Sequence, residues 1–182
     1  MKNLISVLLW LPLSLSAQAQ GTVNFVNRIT GSLDQPIIFE CGPIGGSSFL
    51  AGLYEGNSLI GAPVPFRTGT GAGYWNPAPD ATRVTITLPG GTATLTVKAW
   101  DASGGAQTYF EALAAGRCTG SSFQFTVVTG GAGSPPGLPG DMLNFKSFSP
   151  AGVCPEPSAI ILGLIGTTVL SFWRKRPASG GV

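Results

Sequence analysis

Histidine is absent from this chain of 182 residues, and charged residues make up only 10% of it. Without histidine, the chain cannot form a Ser-His-Asp or Cys-His catalytic group or a histidine-containing metal site. The carboxylates between the two hydrophobic ends are scattered, and no pair has the setting of a catalytic or metal-binding site. The sequence therefore predicts no enzyme, no metal and no cofactor.

Strong charge of either sign is also missing from the central region. Between residues 20 and 154 there are six basic and seven acidic residues, so the net charge there is about −1. A nucleic-acid-binding domain usually shows a clustered excess of lysine and arginine. We therefore predict no nucleic-acid partner.

The first 19 residues have the pattern of a secretory signal peptide. One positive charge at Lys2 precedes an apolar run over residues 4–15, and Ala17-Gln18-Ala19 supplies small residues for cleavage before Gln20. This order is typical of segments that pass through the translocon and are removed by signal peptidase. We predict a helical signal peptide over residues 1–19, with the Sec translocon and signal peptidase as transient partners.

The other end of the chain has three consecutive parts: a proline-bracketed motif, an apolar run and a basic cluster. They are Pro155-Glu156-Pro157, residues 159–173 and Arg174-Lys175-Arg176. The prolines disfavour helix and keep the motif extended and accessible. The basic cluster resists translocation and predicts a cytoplasmic end at residues 174–182.

The apolar run predicts a C-terminal transmembrane helix. Its fifteen residues span about 22 Å as a helix, against a hydrocarbon core of about 30 Å. Arginine and lysine stems beside it can extend the span by snorkelling, and Trp173 suits the membrane interface. A buried core helix is the alternative on length alone, but the run has no polar face and a basic cluster abuts it.

This tail resembles the PEP-CTERM sorting signal of bacterial envelope proteins. The resemblance covers the motif, the apolar run and the basic end, although Cys154 stands where a valine often precedes the motif. Much of the body is also similar to uncharacterised PEP-CTERM proteins of Verrucomicrobia-type bacteria, notably around residues 21–28, 66–75 and 130–136. The resemblance implies processing by exosortase, a membrane-embedded enzyme, and export linked to exopolysaccharide.

The region between the signals predicts a mainly β, single-domain fold over residues 20–148, followed by a linker over 149–158. Period-two alternation over residues 22–27, 83–88, 92–100 and 123–128 is typical of strands. Proline and glycines at 89–91 predict that 83–88 and 92–100 form a hairpin, and weaker strands are expected at 36–40, 48–54, 59–66 and 143–148. The spacing favours a β-sandwich or jelly-roll-like domain, with one short helix at 109–115.

The best candidate ligand site in the body is the loop containing Tyr74, Trp75 and Asn76. Two aromatic rings beside a proline could stack on a sugar ring, with the asparagine adding hydrogen bonds. The other interpretation is that both rings cap the core of the domain. The first interpretation makes the body a carbohydrate-binding module.

Three cysteines remain after signal removal, and an oxidising envelope allows a disulfide. Cys41 and Cys118 are the expected pair, because Cys154 is adjacent to the processing motif. Independent thiols are the alternative.

These features together predict an exported envelope protein with a structural or interaction role in the cell surface or exopolysaccharide matrix. Its precursor is anchored in the inner membrane, and the processed form is at the cell surface or outside the cell. Extracellular polysaccharide is a further candidate partner.

Overall fold

The computed structural model describes residues 20–39, 42–76, 81–131 and 136–151. The fold is mainly β, with one short α-helix, as the sequence predicts. The strands are β1 Thr22–Asn24, β2 Arg28–Ile29, β3 Leu33–Asp34, β4 Ile38–Phe39, β5 Gly42–Pro43, β6 Phe49–Glu55, β7 Ser58–Pro65, β8 Thr82–Val84, β9 Thr92–Asp101, β10 Thr119–Ser121, β11 Phe125–Val128 and β12 Gly140–Asp141.

Two sheets share one hydrophobic core. The larger sheet has the order β10-β9-β6-β7, with β11 also pairing with β9, and the smaller has the order β12-β1-β8. Two small two-stranded ladders, β2-β3 and β4-β5, complete the pairing. The core cluster includes side chains from both sheets, such as Val23, Leu53, Leu95 and Val127. Period-two alternation puts these side chains on the inner faces of their strands.

The hairpin predicted for residues 83–88 and 92–100 does not form. Strand β8 ends at Val84 and pairs with β1, while β9 pairs with β6 on one edge and with β10 and β11 on the other. A strand has only two hydrogen-bonding edges. Strand β6 occupies one edge of β9 from residue 95 onward, and β11 and β10 occupy most of the other, so no free edge is long enough for the predicted six-residue partner. Residues 89–91 therefore form a turn that connects the two sheets.

A glutamate at the end of β6 holds the segment that follows β8. The carboxylate of Glu55 accepts hydrogen bonds from the backbone N–H of Ile86 at 2.7 Å and from the hydroxyl of Thr87 at 2.5 Å. These bonds hold residues 86–87 against the β6–β7 turn. The Ile86 N–H, which the predicted hairpin would have paired with β9, thus has a side-chain acceptor instead.

The helix α1, Tyr109–Ala114, lies where the sequence predicts a helical turn. The Thr108 side chain accepts a hydrogen bond from the N–H of Glu111, which is an N-cap contact. Gly116 follows the helix with a φ of 64°, a left-handed conformation that glycine adopts without strain. The helix packs on the outer face of the larger sheet, where Tyr54, Trp100 and Ala112 form a second cluster.

The last described segment differs from the sequence prediction in two ways. Residues 143–148 form turn and irregular structure instead of a strand, with Phe145 buried in the core and Phe148 packed against it. Residues 149–151, predicted to begin the linker, are bound to the body. Thr119 and Ala151 exchange two backbone hydrogen bonds, of 3.1 Å and 2.8 Å.

None of the helical segments among the residues that the structure describes has the length and apolarity to span a bilayer. The signal peptide, the processing motif Pro155-Glu156-Pro157, the apolar run and the basic cluster Arg174-Lys175-Arg176 lie outside the described residues. Their predictions therefore remain predictions.

Candidate functional site

Trp75 of the predicted ligand loop is a core residue. Its side chain is 1% exposed, and the ring stacks on Phe25 at a centroid distance of 4.7 Å. Phe66 and Phe145 contact it edge-on, and its indole N–H donates to the backbone oxygen of Phe25 at 3.0 Å. The ring is therefore not accessible for stacking on a sugar, and the two-ring platform is absent.

Tyr74, on the same loop, is half-buried at the surface. Its hydroxyl donates to Asp34 at 2.5 Å, and the Arg28 guanidinium lies 5.1 Å from the centre of its ring. The hydrogen bond to Asp34 raises the pKa of Tyr74, because it favours the protonated phenol. The ring face is thus partly covered by an arginine of the same chain, while Asn76 is exposed beside it.

The β2-β3 ladder and buried Asn27 give this loop its shape. Strand pairing places Arg28 opposite Asp34, so both can reach Tyr74. The Asn27 side-chain amide donates to the backbone oxygens of Gln35 and Gly73 at 3.0 Å each. Sequence patterns gave no signal for this cluster, since Asn27 and Gly73 are 46 residues apart along the chain and Asp34 and Tyr74 are 40 apart.

Lys98 is a second feature that the sequence analysis missed. It is 9% exposed, and its ammonium lies 4.4 Å, 5.0 Å and 4.2 Å from the ring centres of Tyr54, Tyr109 and Phe110. Burial lowers the pKa of Lys98, while the ring faces favour its charged form. Burial also raises the pKa of Tyr54.

The three rings come from β6 and α1, and they close over the amine of β9. Because the rings already hold a cation of the same chain, this cluster is an internal contact that fastens α1 to the sheet. The alternation of β9 predicts that position 98 faces away from the main core, but only the packing of α1 shows what covers it.

A third polar cluster lies at the end of β9. Asp101 is fully buried, its backbone N–H donates to the backbone oxygen of Cys118, and its carboxylate accepts from the N–H of Ser103 at 2.8 Å. The Arg117 guanidinium lies 3.8 Å from the other carboxylate oxygen and donates to the Ser103 hydroxyl at 3.2 Å. This network joins the β9–α1 loop to the segment that enters β10.

Cys118, beside this network, is buried and disulfide-bonded. Cys41 and Cys154 lie outside the described residues, so the pairing of Cys118 with Cys41 stays a prediction.

Within the described ranges, no three His, Cys, Asp or Glu side chains are placed to share a metal ion. No protein-family model, curated protein or solved structure matches this chain.

Proposed function

We propose that this chain is an exported cell-envelope protein whose destination is set by its C-terminal tail. The body is a β-sandwich-like domain with a structural or interaction role at the cell surface or in the exopolysaccharide matrix. The three-part tail is the observation on which the proposal depends. A proline-bracketed acidic motif, an apolar run and a basic cluster occur there in the order that a membrane-embedded processing enzyme of the exosortase type requires.

The end of the described body supports this proposal. Ala151 is exposed and hydrogen-bonded to β10, and only three residues separate it from Pro155. The processing motif therefore begins four residues after the last described residue of the folded body.

The body gives less support to carbohydrate binding. With Trp75 in the core, the predicted loop offers only the partly covered ring of Tyr74 and the exposed side chain of Asn76. Sugar-binding sites usually combine an open aromatic face with several polar groups. A glycan array with the exported protein tests this alternative directly.

The proposal is tested by intact-mass analysis in the native host. We expect the wild type to lose the segment 159–182, because its prolines favour an extended motif that a protease can engage. Replacing Pro155, Glu156 and Pro157 by alanine should extend the helix outward and leave the tail attached. Pro177→Ala is the control, since it changes a proline of the same tail and leaves the motif intact.

A C-terminal reporter fusion tests the topology of the precursor. The basic cluster predicts a cytoplasmic C-terminus, because lysine and arginine beside an apolar segment are retained on the cytoplasmic side. If the wild-type protein keeps its full tail, the motif is only part of a membrane anchor and the sorting proposal is wrong. A periplasmic C-terminus in the precursor would contradict the anchoring itself.

A further inference from the structure

The helix α1 covers only part of the outer face of the larger sheet. Tyr54 and Trp100 lie beneath it and pack with Ala112. Toward the start of β9, the next outward positions hold Thr96, which is half-buried, and Thr94, which is exposed. The side chain between these two threonines points into the core, so the threonines mark a part of the sheet that faces solvent.

A β-bulge between β10 and β11 adds two side chains to this part of the sheet. The register of β10 continues to Ser122, whose N–H bonds to the backbone oxygen of Val97 at 2.9 Å, and β11 begins opposite the residue two positions earlier on β9. Phe123 and Gln124 therefore lie opposite the single residue Thr96, which is the arrangement of a bulge. Both side chains are exposed, as expected if they leave the sheet on the same side as Thr96.

Phe123 is held in water by a well-anchored backbone. Its side chain is 91% exposed, the highest value for a large apolar side chain among the described residues. The hydroxyl of buried Ser122 donates to the Phe123 backbone oxygen at 2.8 Å and accepts from the N–H of Val97 at 3.0 Å. A phenylalanine in this position forgoes the free energy that burial of its ring would give, and a ligand that covers the ring recovers it.

Neutral polar groups lie beside this ring. Thr94 pairs directly with Thr126 across β9 and β11, and both are exposed. Directly opposed side chains lie about 5 Å apart, and the next outward position on the same strand is about 7 Å away. We call this surface the open face and define it by its members, which are Thr94, Thr96, Phe123, Gln124 and Thr126.

The open face carries no charged side chain among its five members. Lys98 occupies the next outward position on β9, but its ammonium is enclosed by three aromatic rings. Lys146 lies at the border, on the segment that Asn144 ties to the backbone oxygen of Thr126 at 3.0 Å. The groups offered to a ligand are therefore one open ring, one amide and three hydroxyls.

We infer that the open face binds an uncharged polysaccharide, with Phe123 stacked on a sugar ring. A sugar ring has apolar C–H faces and a rim of hydroxyls, so it requires an open aromatic face beside neutral donors and acceptors. The hydroxyls of Thr94, Thr96 and Thr126 and the amide of Gln124 are those donors and acceptors. The open face is separate from the Tyr74 loop, whose rings are covered.

The chemistry of the open face favours a sugar over a protein partner. The core of a protein interface is apolar and usually contains several large anchors, whereas here one ring lies among hydroxyls and an amide. The inference deepens the proposed function, since it names the class of matrix component that the body contacts. It rests on that function only for the place where protein and polysaccharide meet.

The test measures depletion of the exported protein from solution by four uncharged polymers, which are cellulose, β-1,3-glucan, chitin and cross-linked dextran. We expect binding to at least one of them, unchanged in 1 M salt because no ion pair contributes. Phe123→Ala should lower the association constant about tenfold, as expected for covering one face of the ring, and Phe123→Trp should retain binding. Urea denaturation checks that each variant is folded.

Two further variants separate sugar binding from apolar docking. Ile86→Ala is the matched control, because it removes an exposed apolar side chain from the segment that follows β8 in the smaller sheet and should leave binding unchanged. T94V/T126V keeps the shape of the open face and removes two hydroxyls. It should weaken sugar binding by about fivefold per hydroxyl, whereas it would strengthen the docking of an apolar partner.

Several outcomes would overturn the inference. They are no binding to any of the four polymers, equal loss in Phe123→Ala and Ile86→Ala, stronger binding by T94V/T126V, and binding to calcium alginate alone. A concentration-dependent dimer that Phe123→Ala abolishes would assign the open face to a second copy instead.

Sorting is read separately, as loss of the tail by intact-mass analysis in the native host. Loss of the tail without binding to the uncharged polymers would contradict the inference and leave the proposed sorting intact. Binding by a protein that keeps its tail would contradict the sorting and leave the inference intact.

Discussion

Replacing Trp75 with phenylalanine separates a core role of this ring from a ligand-binding role. The change removes the donor to the Phe25 backbone oxygen, which costs about 1 kcal/mol. The smaller ring also loses contacts with Phe66 and Phe145 and leaves a cavity, for about 1 kcal/mol more. The unfolding free energy should therefore fall by about 2 kcal/mol, which lowers Tm by about 8 °C in a domain of this size.

Thermal unfolding of the exported protein, followed by near-UV circular dichroism, measures this change. Tyr74→Phe is the matched control on the same loop, because it removes only the partly exposed bond to Asp34 and should cost at most about 1 kcal/mol. A Trp75→Phe variant with unchanged Tm and weaker retention on glycans would refute the core assignment. It would restore the loop as a binding platform.

Three further predictions concern the buried lysine, the tyrosines and the cysteines. Lys98→Met should change the unfolding free energy by less than about 1 kcal/mol. Lys98→Glu should lower it by about 2 kcal/mol or more, because the variant buries an anion against the faces of the aromatic rings. Urea denaturation measures both changes. The pKa values of Tyr54 and Tyr74 are raised in the folded protein. Their contribution to stability is therefore present below pH 10 and lost as pH rises through the folded-state pKa. Replacing both residues with phenylalanine should make the fall of Tm at alkaline pH less steep. Non-reducing peptide mass spectrometry should link Cys118 to Cys41, and a link to Cys154 would contradict that pairing.

The lysine contributes to the pH dependence with the opposite sign. Because burial lowers its pKa, the unfolded chain binds more protons than the folded one between the folded-state pKa of Lys98 and 10.5. Stability from this group therefore rises with pH across that interval. Lys98→Met removes this contribution, so the alkaline fall should begin at a lower pH in that variant.

The sequence by itself determined the mainly β class of the fold and the positions of several of its elements. Alternation identified β9 and β11, and the run ending at Gly116 identified α1, because these signals depend only on neighbouring residues. The same local signals predict the hydrophobic ends and the processing motif, which are properties of composition and order. Strands of two residues, such as β2 and β5, were too short for any periodicity to reveal.

The tertiary structure decided which edges pair and which side chains remain accessible. Alternation showed that residues 83–88 favour an extended backbone, but only the occupied edges of β9 direct β8 to β1. The sequence does not show whether an aromatic ring faces a ligand or the core. In the fold, Phe25 stacks on Trp75 and helps to bury it. The ring cluster around Lys98 likewise depends on contacts between distant segments, because pairing and burial are non-local and the local pattern does not encode them.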